Sequence, residues 1–314
     1  MTADAERRVM IRNPVPWPGG ARCAVAITFD MDADSILHLA HHASADTRLA
    51  AMSDLRYGPQ IAIPRIVDIF AEFGLTQTFF LPAWCIERYP RAAEAILKAG
   101  HEIGHHGYLH EEPNKLSRAD LRAWMERATE VIIQTTGERP RGYRAPAYQF
   151  SRDSFDLLVE GRFGYDASLM GDDVPYLLQG AEGDVVELPS HMALDDWPHF
   201  QMSRDFGYRV AMKPPDQALA IYTAEFDAMW EYGGLWVGIW HPFLTGRLSR
   251  AVMLRALIRH MLDKGDVWFA RLDEIAAHVR TLMAEGRWTP RAEAMPPYDG
   301  PIPELGAVPP ARAD

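Results

Sequence analysis

From about residue 20 to residue 285, short apolar runs alternate with longer segments of helical period, and this alternation constrains the fold most tightly. Residues 23–29 form a short run, apolar but for Thr28, that reads as a buried strand ending at Asp30. Residues 76–81, 102–105, 141–144, 185–188, 235–240 and 267–270 read as further strands. Helical spacing predicts helices over 60–73, 90–99, 117–136, 153–160, 216–232, 249–263 and 272–283. Gly74 and Gly100 sit where helices stop, and Ser117 with Asp120 forms an N-terminal cap. Strands separated by helices of this length form βαβ units and a mostly parallel sheet. Seven to eight such strands predict an α/β fold, a distorted (β/α) barrel, whose chemistry sits at the C-terminal strand ends.

The chain divides into an N-terminal segment (1–20), a single barrel domain (21–286) and a proline-rich C-terminal tail (287–314). Two stretches without a strong period, 33–58 and 165–215, read as insertions; the first is a long loop or cap with a short helix. The net charge of −11 argues against nucleic acid or an anionic membrane as the main partner. No apolar run is long enough for a membrane span, and the start lacks a secretory pattern, so the expected location is cytoplasmic. Two cysteines, Cys23 and Cys85, exclude a disulfide framework and fit a reducing compartment.

Polar residues collect at the predicted strand ends. His106 and His110 flank a turn opened by Gly107, and Asp30 and Asp32 follow the first strand. Two imidazoles and one carboxylate leave coordination positions free, as in a catalytic rather than a structural metal site. Asp32 is the best third ligand, which leaves Asp30 as general base, aimed by a bidentate pair with Arg144. His101 and His105 form a competing pair. Adjacent residues on a strand face opposite ways, so only one of His105 and His106 points into the site. His241 ends the strand 235–240 before Pro242. It reads either as a half-buried histidine bonded to backbone or as a general acid supported by Asp195, Asp196 or Asp273. His38, His41 and His42 lie in the first insertion, as mouth residues or as solvated loop. The expected cofactor is one divalent metal, Zn²⁺ first, with Mn, Co, Ni or Fe also compatible.

Four ordered motifs then fall together: Thr28-Phe29-Asp30-Met31-Asp32, Gly104 to His110, Gly142-Tyr143-Arg144-Ala145-Pro146, and Trp240-His241-Pro242. In order and spacing they resemble the polysaccharide deacetylase (NodB-homology) family over residues 20–280. The resemblance implies Asp30 as base, Asp32, His106 and His110 as metal ligands, Arg144 as orienting residue and His241 as acid. Met31 separates two aspartates that are adjacent in typical members. That spacing is more similar to a cytosolic branch of peptidoglycan-deacetylase-like proteins, cyclic imide hydrolases and allantoinase-like enzymes.

The expected reaction is hydrolysis of a non-peptide C–N bond in a small cyclic amide, imide or ureide. The alternatives are N-deacetylation of an amino-sugar polymer or oligomer, O-deacetylation, and binding without catalysis. Loop aromatics Trp84, Tyr143, Tyr148, Phe150, Trp197 and Phe200, with Pro146, are candidate substrate contacts. A homo-oligomer, dimer or tetramer, is also expected.

Overall fold

The computed structural model describes residues 10–298. The first nine residues and positions 299–314 of the tail lie outside the described residues. Ten strands form one sheet: β1 (Cys23–Asp30), β2 (Thr78–Leu81), β3 (Glu102–His105), β4 (Gly142–Tyr143), β5 (Tyr165–Asp166), β6 (Tyr176–Gln179), β7 (Asp184–Glu187), β8 (Leu235–Trp240), β9 (Val267–Phe269) and β10 (Ala292–Ala294). Their order is β10-β6-β7-β5-β4-β3-β2-β1-β8, with β9 beside the lower part of β1. Every pairing is parallel except β6 with β7. The fold is therefore the mostly parallel α/β arrangement expected, but among the described residues its strand pairing does not close into a ring.

Strand alternation sorts the core into layers. Cys23, Val25, Ile27 and Phe29 face the outer helices, whereas Ala24 and Ala26 face inward with Val237 and Ile239. Thr28 and Asp30 share the phase of Ala24 and Ala26, so two polar groups reach the barrel interior at its upper end. β1 and β8 are buried at every position, as strands covered on both faces must be. Gly104 admits Phe80 into the interior, because a Cβ there would lie 2.5 Å from the ring.

Helices 63–72, 90–98, 118–136, 152–160, 215–232, 248–264 and 272–284 fall where the period places them. The structure departs from the sequence reading in three places. The first insertion holds more helix than a loop: Ser35–Ala40, then Leu49–Tyr57, which runs through a wide turn, Gly58–Ala62, into Ile63–Glu72. Only Met52 and Leu55 of Leu49–Tyr57 are buried, too few to give a clear period. The second insertion contains β5 and β6 as well as β7. Ala292–Ala294 of the tail is an edge strand on β6. Among the described residues, no helix is long and apolar enough to cross a membrane.

Candidate active site

Asp30 ends β1, Asp32 follows one turn later, and Met31 between them turns into the hydrophobic core. Arg144, just past β4, crosses the interior to reach them. Its Nη1 donates to Asp30 Oδ1 and to Thr28 Oγ1, each at 2.7 Å, and its Nε donates to the Ala167 carbonyl at 3.0 Å. The guanidinium lies over the Phe80 ring, 4.2 Å from its centroid. Arg144 is fully buried, and its Nη2 has no acceptor. The pair with Asp30 is thus single rather than bidentate, because the fork is divided among three acceptors. Asp30 Oδ2 stays free of Arg144, 3.8 Å from His106 Nε2.

The two histidines converge on Asp32. His106 Nε2 is 3.4 Å from Asp32 Oδ1, and His110 Nε2 is 3.6 Å from Asp32 Oδ2. His106 is oriented by Nδ1, which donates to the Arg144 carbonyl at 2.8 Å. His110 adopts φ 67°, an uncommon conformation for a residue with a side chain, and this turns its ring back toward His106. Glu111 holds that turn: its carboxylate accepts from Tyr108 N and Leu109 N. Gly107 (φ 70°) is required there, since a Cβ would lie 2.9 Å from Glu111 Oε1.

These residues fit a divalent cation. Asp32 Oδ1 is buried with no hydrogen-bond donor. One Asp32 oxygen and the two imidazole nitrogens lie within 4.8 Å of one another. Donors on a tetrahedral ion with bonds of about 2.0–2.1 Å sit about 3.3 Å apart, near the 3.4 Å between His106 Nε2 and Asp32 Oδ1. Burial lowers His110 to about 4, outweighing Asp32, so its ring is neutral, whereas at His106 burial is outweighed by Asp30 and Asp32, which raise it, so a cation binding there displaces a proton.

His241 stands on the opposite wall. Its Nδ1 meets Asp196 Oδ1 at 2.7 Å, its backbone N–H donates to Asp196 Oδ2 at 3.0 Å, and its Nε2 is 3.5 Å from Asp32 Oδ2. Thr245 Oγ1 also donates to Asp196. Burial opposes a charge on His241, but Asp196, with Asp32 and Asp195, outweighs it and raises the group to about 10. Of the three acidic neighbours considered, Asp196 makes the bond and Asp195 is 4.0 Å away, while Asp273 pairs with Arg271 elsewhere. Asp195 accepts from Trp197 N and from the Tyr148 hydroxyl, and burial pushes it up to about 6.

Asp30, Asp32, His106, His110 and His241 line one cavity of about 690 Å³. Trp197 and Tyr148 line it as well. Tyr143, Pro146 and Trp84 do not, which corrects their assignment as substrate contacts. Tyr143 precedes Arg144 and so faces the other way, against His105 and Phe163. Pro146 packs toward Gly107, and Trp84 packs on His38 and Tyr89. Phe150 and Phe200 belong to core clusters. His105 lies outside the cavity, its Nε2 meeting the Met125 carbonyl, and His101 packs on Phe70 and Phe79. His38, His41 and His42 are not cavity residues either.

Apart from Trp197 and Tyr148, sequence reasoning missed the cavity walls. Ile36, Leu39 and Ala40 come from the first insertion; Met192, Phe206 and Tyr208 come from the second. The two insertions are tied together at Asp205. Its carboxylate pairs with Arg48, and its carbonyl accepts from His41 Nε2 at 2.8 Å. Nothing in local spacing signals these contacts, which span more than 150 residues of chain.

An inward-facing carboxylate–histidine cluster at the C-terminal rim of a parallel α/β sheet has the composition of a catalytic metal site. The polysaccharide deacetylase family pattern matches residues 54–167. A crystal structure of a Mycobacterium smegmatis protein assigned to the polysaccharide deacetylases is 41% identical, with a TM-score of 0.85, covering 93% of this chain and 98% of that one. The chain belongs to the polysaccharide deacetylase family and is a hydrolase of C–N bonds other than peptide bonds. A peptidoglycan deacetylase of Helicobacter pylori is 28% identical over 248 residues, 70% of this chain and 84% of its own length. An allantoinase structure shares the fold at a TM-score of 0.75 and 24% identity, covering 90% of this chain and 98% of that one.

Proposed function

We propose that this protein is a metal-dependent hydrolase of a small cyclic amide, imide or ureide. The observation that carries the substrate class is the tie at Asp205, which joins the two insertions beside the cavity. A polymer needs a groove open along its length, whereas joined walls favour a compact ring. Apolar lining from Ile36, Leu39, Met192, Phe206 and Trp197 suits the carbon face of such a ring.

Asp32, His106 and His110 would hold the cation, which when bound polarises a carbonyl and makes water a stronger acid. Asp30, aimed by Arg144 through Oδ1, keeps Oδ2 free to take the proton of the attacking water. His241, with Nδ1 fixed on Asp196, presents Nε2 to the cavity and gives its proton to the departing nitrogen. Trp197, 5.2 Å from the His241 ring, packs against the acid and excludes bulk water.

The test is a turnover screen of zinc-loaded protein on succinimide, hydantoin, allantoin and N-acetylglucosamine oligomers. Ring opening is the expected result. Turnover confined to the sugar oligomers would replace this reading with N-deacetylation, the activity in the name of the Helicobacter pylori relative. Asp32→Ala and His106→Ala are expected to lose bound metal and turnover together, while Asp30→Asn keeps the metal and loses turnover. Full zinc occupancy in His106→Ala, by elemental analysis, would overturn the ligand set.

A further inference from the structure

Behind Arg144 lies a second pair of carboxyl groups that the reaction does not use. Asp166 and Glu187 are register partners on the neighbouring parallel strands β5 and β7. Both are fully buried, and their carboxyl groups lie within hydrogen-bonding reach of each other. Among the described residues, neither forms an ion pair with a lysine, arginine or histidine. The donors they receive are neutral: Ser168 Oγ and Ser168 N to Asp166, and Leu169 N to Glu187. Glu187 Oε2 has no protein donor at all.

Two carboxylates in contact in a dry interior repel strongly, so one of them must keep a proton. Burial, with the Asp166 charge, holds Glu187 well above the usual carboxylate range. The pair is also wired to the active site. Ser168 Oγ donates to Asp166 Oδ1 at 2.7 Å and accepts from Ala145 N at 2.8 Å. The peptide unit so fixed is the one joining Arg144 to Ala145. Its carbonyl orients His106, and the Arg144 side chain aims Asp30.

We infer that Asp166 and Glu187 share one proton and form a positioning element, which through Ser168 fixes the Arg144–Ala145 peptide and hence His106 and Asp30. This rests on the proposed roles of His106 and Asp30. A pair with a single negative charge keeps Ser168 Oγ a donor toward Asp166, so the same hydroxyl oxygen stays available to Ala145 N. It also leaves the Arg144 guanidinium to Asp30 rather than drawing it away into a full ion pair.

Two measurements on the full chain test this. The infrared difference between the unmodified protein and Glu187→Gln at pH 8.5, where Glu102 and Asp195 are ionised, should show the carbonyl stretch of a protonated carboxylic acid. Its absence from that difference overturns the shared proton. Chelator competition then reads zinc affinity in Glu187→Gln and Glu187→Met. The amide still donates to Asp166 and accepts from Leu169 N, so its affinity should stay within threefold of the unmodified protein. The methionine variant fills the same space without either bond and should weaken zinc about tenfold, the usual effect of losing an outer partner of a ligand. Circular dichroism identifies a folded methionine variant; if it does not fold, Ser168→Ala, which cuts the chain at its middle link, takes its place with the same expectation. A folded variant with unchanged zinc affinity overturns the positioning role. If the unmodified protein binds no zinc, the ligand reading fails, while the infrared band still decides the proton.

Discussion

Replacing Arg144 by methionine tests the energetics of the buried interior. The substitution keeps the approximate length of the side chain and its packing over Phe80, but deletes three hydrogen bonds. Asp30, 3% exposed, then loses its charged hydrogen-bond donor and keeps only His106, 3.8 Å from its Oδ2, as a basic neighbour. Breaking a buried pair from one side costs about 3–5 kcal/mol, most of it from the stranded charge. At about 2 °C per kcal/mol for a chain of this size, the metal-free protein should melt roughly 6–10 °C lower. Adding Asp30→Asn to Arg144→Met removes the stranded charge, so the double variant should melt above Arg144→Met alone. The assay is thermal melting of the four proteins in chelator, with the coupling obtained from the cycle. If Asp30→Asn lowers the melting temperature equally in both backgrounds, the charge is not what makes the loss of Arg144 costly, and the reasoning fails. In the metal-loaded enzyme, Arg144→Met should also lower kcat about a hundredfold, through misplacement of the base.

Three further outcomes follow from the same structure. Glu102 accepts from Thr78, Tyr165 and Asp273 N at the far end of the barrel, and burial with Asp273 raises it from 4.5 to about 7. Its ionisation therefore disfavours folding: the penalty is absent below pH 4.5, grows between 4.5 and 7, and is complete above. Glu102→Gln should gain melting temperature relative to the unmodified protein across that window, and a difference independent of pH would refute it. Gly104→Ala places a methyl 2.5 Å from the Phe80 ring and should destabilise by about 1–3 kcal/mol, read by urea denaturation. Asp205→Ala removes the Arg48 pair between the insertions. It should raise KM for a ring substrate severalfold, with zinc content unchanged.

The candidate site residues could be placed together because each ends a strand or follows one directly. Asp30, His106, Arg144 and His241 needed only the alternation of strands and helices to be placed on one rim. Alternation within a strand was the rule applied to His105 and His106, and the same rule places Tyr143 away from Arg144. Overlooking it there gave the wrong substrate contact. β4 and β5 are two residues long, too short for any period to show. The Asp166–Glu187 pair depends on a register between strands that no local spacing encodes. The cavity walls depend on contacts such as Arg48 with Asp205, which local sequence cannot express.

The single antiparallel step in the sheet has a consequence for how this enzyme could be altered. β6 runs down from the rim and β7 returns to it, so the chain regains the catalytic end without a crossover helix. Residues 188–214 then leave the rim before the helix Pro215–Tyr232 begins, carrying Met192, Trp197, Phe206 and Tyr208. Leu194 and Phe200 pack into the core and Asp195 bridges to Ile239 of β8, so it is the unburied part, residues 202–212, that can be shortened, lengthened or grafted with little effect on the barrel. Asp195 and Asp196 are the fixed points of such a graft, since they anchor Tyr148 and His241. The hairpin sets one wall of the cavity on a segment separate from the strands that carry Asp30, Asp32, His106 and His110.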